Sequence, residues 1–493
     1  MENPGKYTLS EIYSQPEAWR AAIGLIGSRQ EEIASFLSRG CDEVIFTGCG
    51  STYYAALAAA AFYTALTGRR SRGLPGSELW LNPALHYPRG QRFLLVPISR
   101  SGATSETIHA CQGFRQAGQG DILSLSCYPD APLAGLGDLN LVLPSGQEES
   151  YAQTRAFTTL YLASMALACL AAGRMDLFEA LAGLPDACAR LLERSGDAAL
   201  ALGGDLSIDR VYFLGSGLRY GLACELSMKM KEMSLTHCEP FHFLEFRHGP
   251  KTMAGQGALV VGLVSETNGE RERAVAADVQ RQGARVFLIG GQPADAVLDS
   301  GLPEELRGPL YLPLGQLLSY GRSIKKGLNP DRPLNLEPVI MLGKKLAAEL
   351  GLELGSWVTL SARTRYDSQN AQDFQVVALL DTPDPTINNG NGYISFSAAE
   401  PFLDLEGLRT ELAVRMEKRI NLKDAMKDSD EVAALVNANF PELSAKSFGE
   451  IGRQFLELSK AKSKGAGMII FIMMIIAGVG IAMPGFVDVI KGI

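Results

Sequence analysis

"VIFTGCGSTYYAALAAAA", residues 44–61, passes from a short apolar run through a glycine-rich turn into an Ala-rich segment. The same order returns in "VYFLGSGLRYGLACELSMKMKEM", residues 211–233, so the chain contains an internal repeat. Strands that alternate with helices predict a parallel sheet covered on both faces. We therefore expect two doubly wound parallel-sheet α/β domains, over residues 1–200 and 201–340. Further strands are expected at the apolar runs 93–98, 122–127, 139–144, 258–264 and 286–290.

The composition limits the class of protein. The chain has 493 residues, of which 46% are hydrophobic and 20% charged, which is typical of several globular domains. Its net charge of -8 and the lack of a long basic run argue against nucleic-acid binding. The eight Cys and five His all precede residue 249, without a CxxC pair or metal-ligand spacing. We therefore expect reduced thiols, as in the cytosol, with no metal and no cofactor.

The end of the chain has a different character. Residues 341–464 predict a smaller α+β domain, and residues 466–487 carry no charge. About 20 apolar residues cross a bilayer, so one transmembrane helix is predicted over 465–487, with a buried core helix as the alternative. Three basic residues precede this span and one follows it: Lys460, Lys462, Lys464 and Lys491. This bias places the preceding domains in the cytoplasm, tethered to the membrane.

Two loops rich in hydroxyl groups follow strands of the first domain. "PISRSGATSET" spans residues 97–107, and "GCGST" spans residues 48–52. Hydroxyls and backbone amides at a strand-to-helix turn suit a phosphate, although such a residue can simply cap the helix. Ligands of these sheets bind beside the carboxyl ends of the strands. Because "VSETNGE" at 264–270 lacks the Ser cluster, we expect one phosphate site per chain.

The second domain carries the residues that suit acid–base chemistry. Glu225, Lys229 and Glu232 lie at i, i+4 and i+7, which places them on one helical face. A solvated salt-bridged face is the alternative reading. The turn "FRHGP", residues 246–250, then adds His248. Moving a carbonyl between neighbouring carbons requires one base that removes a proton and returns it.

Four motifs, "GCGSTYYAA", "PISRSGATSET", "EESYAQTRAFTT" and "ELSMKMKEMSLTHCEPFHFLEFRHGP", together resemble a double sugar isomerase (SIS) domain over residues 8–340. The similarity is to the isomerase module of glucosamine-6-phosphate synthase and to stand-alone ketose/aldose isomerases and deglycases. It implies that Glu232 is the base, that Glu225 and Lys229 orient sugar hydroxyls, and that His248 assists ring opening in the other subunit of a homodimer. The implied phosphate ligands are Ser51, Thr52, Ser99, Arg100, Ser101, Thr104 and Gln153.

The sequence departs from the synthase pattern at several positions. Arg100 stands where the synthase has Gln, and Gln153 where it has Ser, so substrate identity stays open. Pro338 stands where the synthase has an imine-forming Lys. No N-terminal Cys is present, so glutaminase activity is not expected. His237 and His242 match no motif and are expected to be structural.

Residues 340–485 resemble the extracytoplasmic domain and following span of a lipoprotein- or macrolide-export ABC permease. The leading hypothesis is an enzyme: a ketose/aldose isomerase, deaminase or deglycase acting on a phosphorylated ketose or amino sugar. The first alternative is a non-catalytic sugar-phosphate sensor. The second is a fragment of a transport permease fused to a SIS protein.

Overall fold

A computed structural model describes residues 4–333, 339–366, 369–382, 385–403, 405, 422–440 and 444–451. The chain divides into two compact units, before and after residue 405. Three helices open the first unit: α1 (Lys6–Tyr13), α2 (Gln15–Ser28) and α3 (Gln30–Leu37).

The first repeat is a five-stranded parallel sheet with the strand order β2-β1-β3-β4-β5. Its strands are β1 (Glu43–Gly48), β2 (Ser71–Pro75), β3 (Phe93–Ser99), β4 (Gly120–Ser126) and β5 (Leu139–Val142). Its helices are α4 (Ser51–Thr67), α5 (Gly76–Leu81), α6 (Pro83–His86), α7 (Ser105–Gln116), α8 (Arg155–Ala171), α9 (Met175–Ala180) and α10 (Leu184–Gly203).

The second repeat is a five-stranded parallel sheet with the order β10-β9-β8-β6-β7. Its strands are β6 (Arg210–Gly215), β7 (His237–Phe241), β8 (Ala258–Val264), β9 (Arg285–Gly290) and β10 (Ala296–Val297). Its helices are α11 (Leu218–Ser234), α12 (Phe243–Phe246), α13 (Gly269–Arg281) and α14 (Leu312–Lys325), with a 3-10 helix over Glu304–Tyr311.

Counted from the β2 edge and from the β7 edge, both sheets place the second strand of their repeat first, followed by the first, third, fourth and fifth strands. The predicted doubly wound α/β repeats are therefore confirmed. Both sheets are buried on two faces. In β1, Val44 and Phe46 join one apolar cluster, while Ile45 between them joins another. Successive strand side chains point to opposite faces, which explains the continuous apolar runs in the sequence. Sequence reasoning missed three strands of the repeats: β2 and β7, which are short and contain polar residues or Pro, and β10, which has only two residues.

Helices α4 and α11 cross closely and join the two repeats. A Cβ atom placed on Gly221 of α11 would lie 2.7 Å from the Ala58 nitrogen and 2.7 Å from the Tyr54 carbonyl oxygen, both in α4. Only a residue without a side chain permits this approach. One apolar cluster then runs through both repeats and includes Phe46 and Leu226.

The strands between residues 339 and 394 form a separate four-stranded sheet with the order β12-β13-β11-β14. Its elements are β11 (Val339–Gly343), α15 (Lys344–Glu349), β12 (Trp357–Arg363), β13 (Gln369–Leu380), α16 (Pro385–Gly390), β14 (Gly392–Ile394) and α17 (Phe396–Leu403). The described part of the predicted α+β segment contains both strands and helices. The second unit contains α18 (Leu422–Asn439) and α19 (Phe448–Ile451).

The predicted span at 465–487, with its flanking Lys residues, and Pro338 both lie outside the described residues. Within the described part of the chain, no helix combines the length and apolar character needed to cross a membrane.

Candidate active site

The two hydroxyl loops leave the same edge of the first sheet. Strands β1 and β3 are parallel neighbours, with Thr47 paired to Pro97, so the loops that follow them lie side by side. Each loop turns at a glycine with positive φ: 57° at Gly50 and 66° at Gly102. Side chains rarely adopt this backbone conformation, so glycine permits both turns.

The loop after β3 is held by its own hydroxyl groups. Ser99 is buried, and its Oγ accepts a hydrogen bond from the Gly102 amide at 3.1 Å and lies 3.3 Å from Thr104 Oγ1. Ser101 is exposed, and its Oγ accepts a bond from the Ala103 amide at 3.3 Å. Thr104 immediately precedes α7 without capping it through its side chain. These bonds shape the loop and leave Ser101 open to solvent.

The Thr52 hydroxyl is engaged within its own loop. It accepts a bond from the Cys49 amide and donates one to the Cys49 carbonyl, both at 3.0 Å. The side chain is therefore committed to the turn between β1 and α4. We interpret Thr52 as a residue that shapes this loop.

Arg100 joins the hydroxyl loop after β3 to the segment before α8. Its Nη1 donates to the carbonyl oxygens of Ser150 at 3.0 Å and Tyr151 at 3.1 Å, and lies 3.3 Å from Glu148 Oε2. The Glu148 side chain is fully buried. The other Glu148 oxygen accepts bonds from the Thr154 amide and hydroxyl, so one carboxylate fixes both segments.

The predicted trio on α11 is confirmed as one cluster. The Lys229 ammonium donates to Glu232 Oε2 and lies 3.6 Å from Glu225 Oε1. Lys229 and Glu225 are both buried. The alternative of a solvated salt-bridged face is therefore wrong, because water is excluded from two of the three groups.

Burial sets the charges of this trio. Desolvation raises the pKa of Glu225 to about 8, against the opposing effect of Lys229. For Lys229, burial lowers the pKa, but attraction to Glu225, Glu232 and Glu148 outweighs it and the net pKa is raised. Near neutral pH these shifts favour a neutral Glu225 beside a cationic Lys229. Glu232 is the member of the trio nearest to solvent.

The close crossing of α4 and α11 brings the two halves of the site together. Ser51 begins α4, and its Oγ lies 3.8 Å from Met228 Sδ on α11. The Ser51 hydroxyl also opposes the raised pKa of Glu225. A Cβ on Gly50 would lie 3.2 Å from Met228 Cε. The hydroxyl loop at residues 48–52 of one repeat thus meets the helix that carries the trio of the other.

Comparison with known proteins identifies these repeats. The SIS domain profile matches residues 39–170 and 206–300, which are the two parallel sheets. The chain carries a double SIS domain.

Relatives of this chain include two glutamine–fructose-6-phosphate aminotransferases. A glutamine–fructose-6-phosphate aminotransferase (isomerizing) from Pyrobaculum aerophilum is 30% identical over 354 residues, covering 68% of this chain and 57% of the relative. The enzyme of the same name from Chlamydia caviae is 29% identical over 358 residues, covering 67% and 57%. The chain therefore spans little more than half the length of these relatives.

Solved structures with the same fold include phosphosugar enzymes. Glucosamine-6-phosphate deaminase from Thermotoga maritima has a TM-score of 0.56 and 27% identity, and the match covers 67% of this chain and 98% of that one. Tagatose-6-phosphate ketose/aldose isomerase from Escherichia coli has a TM-score of 0.59 and 25% identity, with coverage of 67% and 96%. The predicted permease resemblance concerns residues beyond both SIS matches and stays a prediction.

The three histidines of the second repeat, His237, His242 and His248, are exposed. His248 is exposed in the turn after α12, and among the described residues its ring forms no hydrogen bond with the trio. His242 stacks on Tyr220 with ring centroids 3.9 Å apart, and burial lowers its pKa. His237 is exposed at the start of β7. In the described part of the chain, no hydrogen bond or ion pair joins His248 to Glu232.

Gln153 and two residues that sequence reasoning missed complete the surroundings of the site. Gln153 Oε1 is buried without a hydrogen-bond donor among the described residues, so it can accept a bond from a ligand. Glu148 is missed because nothing local distinguishes it from the neighbouring Glu149. Glu11 of α1 accepts a bond from the Glu149 amide at 2.6 Å, and burial followed by repulsion from Glu148 raises its pKa. Sequence reasoning missed Glu11 because it lies 138 residues away from Glu149, so no local pattern links the two residues.

Proposed function

We propose that this protein is an isomerase-type enzyme that acts on a phosphorylated ketose or its amino derivative, as a ketose/aldose isomerase, deaminase or deglycase. The observation that carries the proposal is the position of Ser51. This residue belongs to a hydroxyl loop suited to phosphate, and it contacts the helix that bears Glu225, Lys229 and Glu232. A sugar phosphate held by the loops would extend its carbon chain toward the trio.

The charges of the trio suit proton transfer between adjacent carbons. Glu232 would remove a proton from the carbon beside the carbonyl, forming an enediolate, and return it to the former carbonyl carbon. Lys229 would stabilise the negative charge that develops on oxygen. Glu225, which is neutral near pH 7, would donate a hydrogen bond to a sugar hydroxyl. The hydroxyl proton would pass from the oxygen of the deprotonated carbon to the former carbonyl oxygen, with the Lys229 ammonium as relay, so protons and electrons balance and no cofactor takes part.

The test is solvent proton exchange with a panel of fructose, tagatose and glucosamine 6-phosphates. We expect the parent protein to exchange the proton at C1 or C2 of at least one sugar. Glu232→Gln should abolish this exchange and leave ligand affinity within about threefold, because only transition-state stabilisation is lost. Glu270→Gln, an exposed carboxyl on α13, is the matched control. Exchange by Glu232→Gln at the parent rate would refute its role as the base.

The sensor hypothesis differs from the enzyme in one measurement. A sensor would bind a sugar phosphate with the same loops but exchange no carbon-bound proton with any substrate. The buried, charge-balanced trio favours the enzyme, because a pure binding site has no need of a base beside the carbon chain.

We also propose a homodimer in which His248 completes the site of the partner subunit. Its exposure on the surface supports this arrangement. Mixing an inactive His248→Ala protein with an inactive Glu232→Gln protein should restore part of the activity, since some mixed dimers would contain one intact site. Without recovery after subunit exchange, the shared site is ruled out. A cytoplasmic location, the membrane tether and the permease-like segment are proposed from sequence alone.

A further inference from the structure

The second repeat contains a loop after β8 that is equivalent to the hydroxyl loop after β3 in the first repeat. Strands β3 and β8 occupy the same place in their sheets, and both lead through a short loop into a helix. In the first loop, Ser99 Oγ accepts the amide three residues later, that of Gly102, at 3.1 Å. In the second loop, Ser265 Oγ accepts the amide of Asn268, also three residues later, at 2.9 Å. The two loops therefore share their backbone turn as well as their position.

The neighbouring turns correspond as well. Gly50 and Gly217 each precede the helix that follows the first strand of their repeat, with φ/ψ of 57°/-123° and 59°/-132°. Two residues later the first repeat has Thr52 and the second has Arg219. The second repeat thus retains the geometry of an anion site and places a cationic side chain beside it.

A carboxylate of the chain itself fills this second site. Glu304 accepts hydrogen bonds from the Glu266 amide at 2.8 Å, the Thr267 amide at 3.2 Å and the Thr267 hydroxyl at 3.0 Å. The equivalent amides of the first repeat belong to Arg100 and Ser101, two of the predicted phosphate ligands. Glu304 therefore occupies the place that an anionic ligand would take.

Arg219 shows that the site is built for negative charge. Its Nη1 lies 3.4 Å from Glu304 Oε1, and the residue is only 9% exposed. Its Nε is buried without an acceptor among the described residues, so the guanidinium retains a free donor inside the site. A buried cation with an unused donor needs an anion next to it.

We propose that the second repeat has kept an anion site of the phosphate or carboxylate class, and that Glu304 acts as its permanent internal ligand. This inference rests on the proposed function, because it compares the loop after β8 with the loop after β3, which we propose to bind the sugar phosphate. It explains why one chain would bind a single sugar phosphate although it contains two similar repeats. Removing the Glu304 carboxylate should uncover a second anion site.

The experiment measures inorganic phosphate binding to the full chain by titration calorimetry. The parent should bind one phosphate and Glu304→Ala should bind two. Glu305→Ala, which removes the neighbouring exposed carboxyl, should still bind one. Adding Ser99→Ala and Ser101→Ala to Glu304→Ala should remove the first site and leave the second.

Acetate gives an independent readout, because it matches the group removed. Acetate should raise the melting temperature of Glu304→Ala and leave that of Glu305→Ala unchanged. If Glu304→Ala does not fold in plain buffer, recovery in acetate supports the proposal and failure to recover overturns it. Unchanged phosphate stoichiometry with no specific acetate effect also overturns it. If the parent binds no phosphate and Glu304→Ala binds one, the function proposed for the first loop is refuted. The proposed second anion site is then still supported.

Discussion

Gly221→Ala should destabilise the protein although alanine is the better helix former. The new Cβ would lie 2.7 Å from two backbone atoms of α4, the Ala58 nitrogen and the Tyr54 carbonyl oxygen, and 3.0 Å from the Ala58 Cβ. Backbone atoms of a packed helix cannot move aside, so the two helices must separate. Overpacking of this kind costs about 1–3 kcal/mol. The helix preference for Ala returns about 1 kcal/mol, so we expect a net loss of up to about 2 kcal/mol.

Gly24→Ala is the matched control for this prediction. Gly24 lies in the exposed part of α2, and a Cβ there would have no neighbour within 4 Å. This variant should gain about 0.5–1 kcal/mol from helix preference alone. Urea unfolding of both variants measures the difference, and turnover should fall only in Gly221→Ala, because the helix crossing holds Ser51 near Glu225. Equal stabilisation of the two variants would refute the close crossing.

Three further perturbations test the site. Glu225→Gln should flatten the pH dependence of stability, because burial raises the pKa of Glu225 from 4.5 to about 8. The stabilising contribution of Glu225 is therefore complete below about pH 4.5 and is lost as the pH rises through about 8, at up to about 1.4 kcal/mol per pH unit. Urea midpoints at about pH 5 and pH 8 that shift equally in parent and variant would contradict this. Ser99→Ala with Ser101→Ala should weaken sugar-phosphate binding by roughly 2–4 kcal/mol in calorimetry, since hydrogen bonds to a charged group are lost; unchanged affinity would remove the phosphate assignment. Glu148→Gln should lower the unfolding free energy by about 3 kcal/mol, because Arg100 loses a buried partner, and it should raise the KM for the sugar phosphate more than it changes kcat; an unaltered KM would limit Glu148 to a structural role.

Both repeats and most of their strands were predictable from sequence. An apolar run buried on both faces has a composition that a half-exposed strand lacks, and β1, β3 and β8 all show it. Strands β2 and β7 were missed because the pairing of a short strand is decided by its neighbours in the sheet. The spacing of Glu225, Lys229 and Glu232 likewise predicted one helical face, but it left open whether that face is wet or dry.

Sequence alone was sufficient for the local features of this protein: the repeated strand–turn–helix units, the hydroxyl loops and the face that carries the trio. These follow from periodicity and turn chemistry, which act over a few residues. Only the tertiary structure decided which distant segments of the chain come into contact. The absence of a side chain at Gly221 lets α4 approach α11, burial then neutralises Glu225, and Glu304 reaches a loop nearly forty residues earlier in the chain. Such contacts depend on packing between distant segments, and no local pattern specifies them.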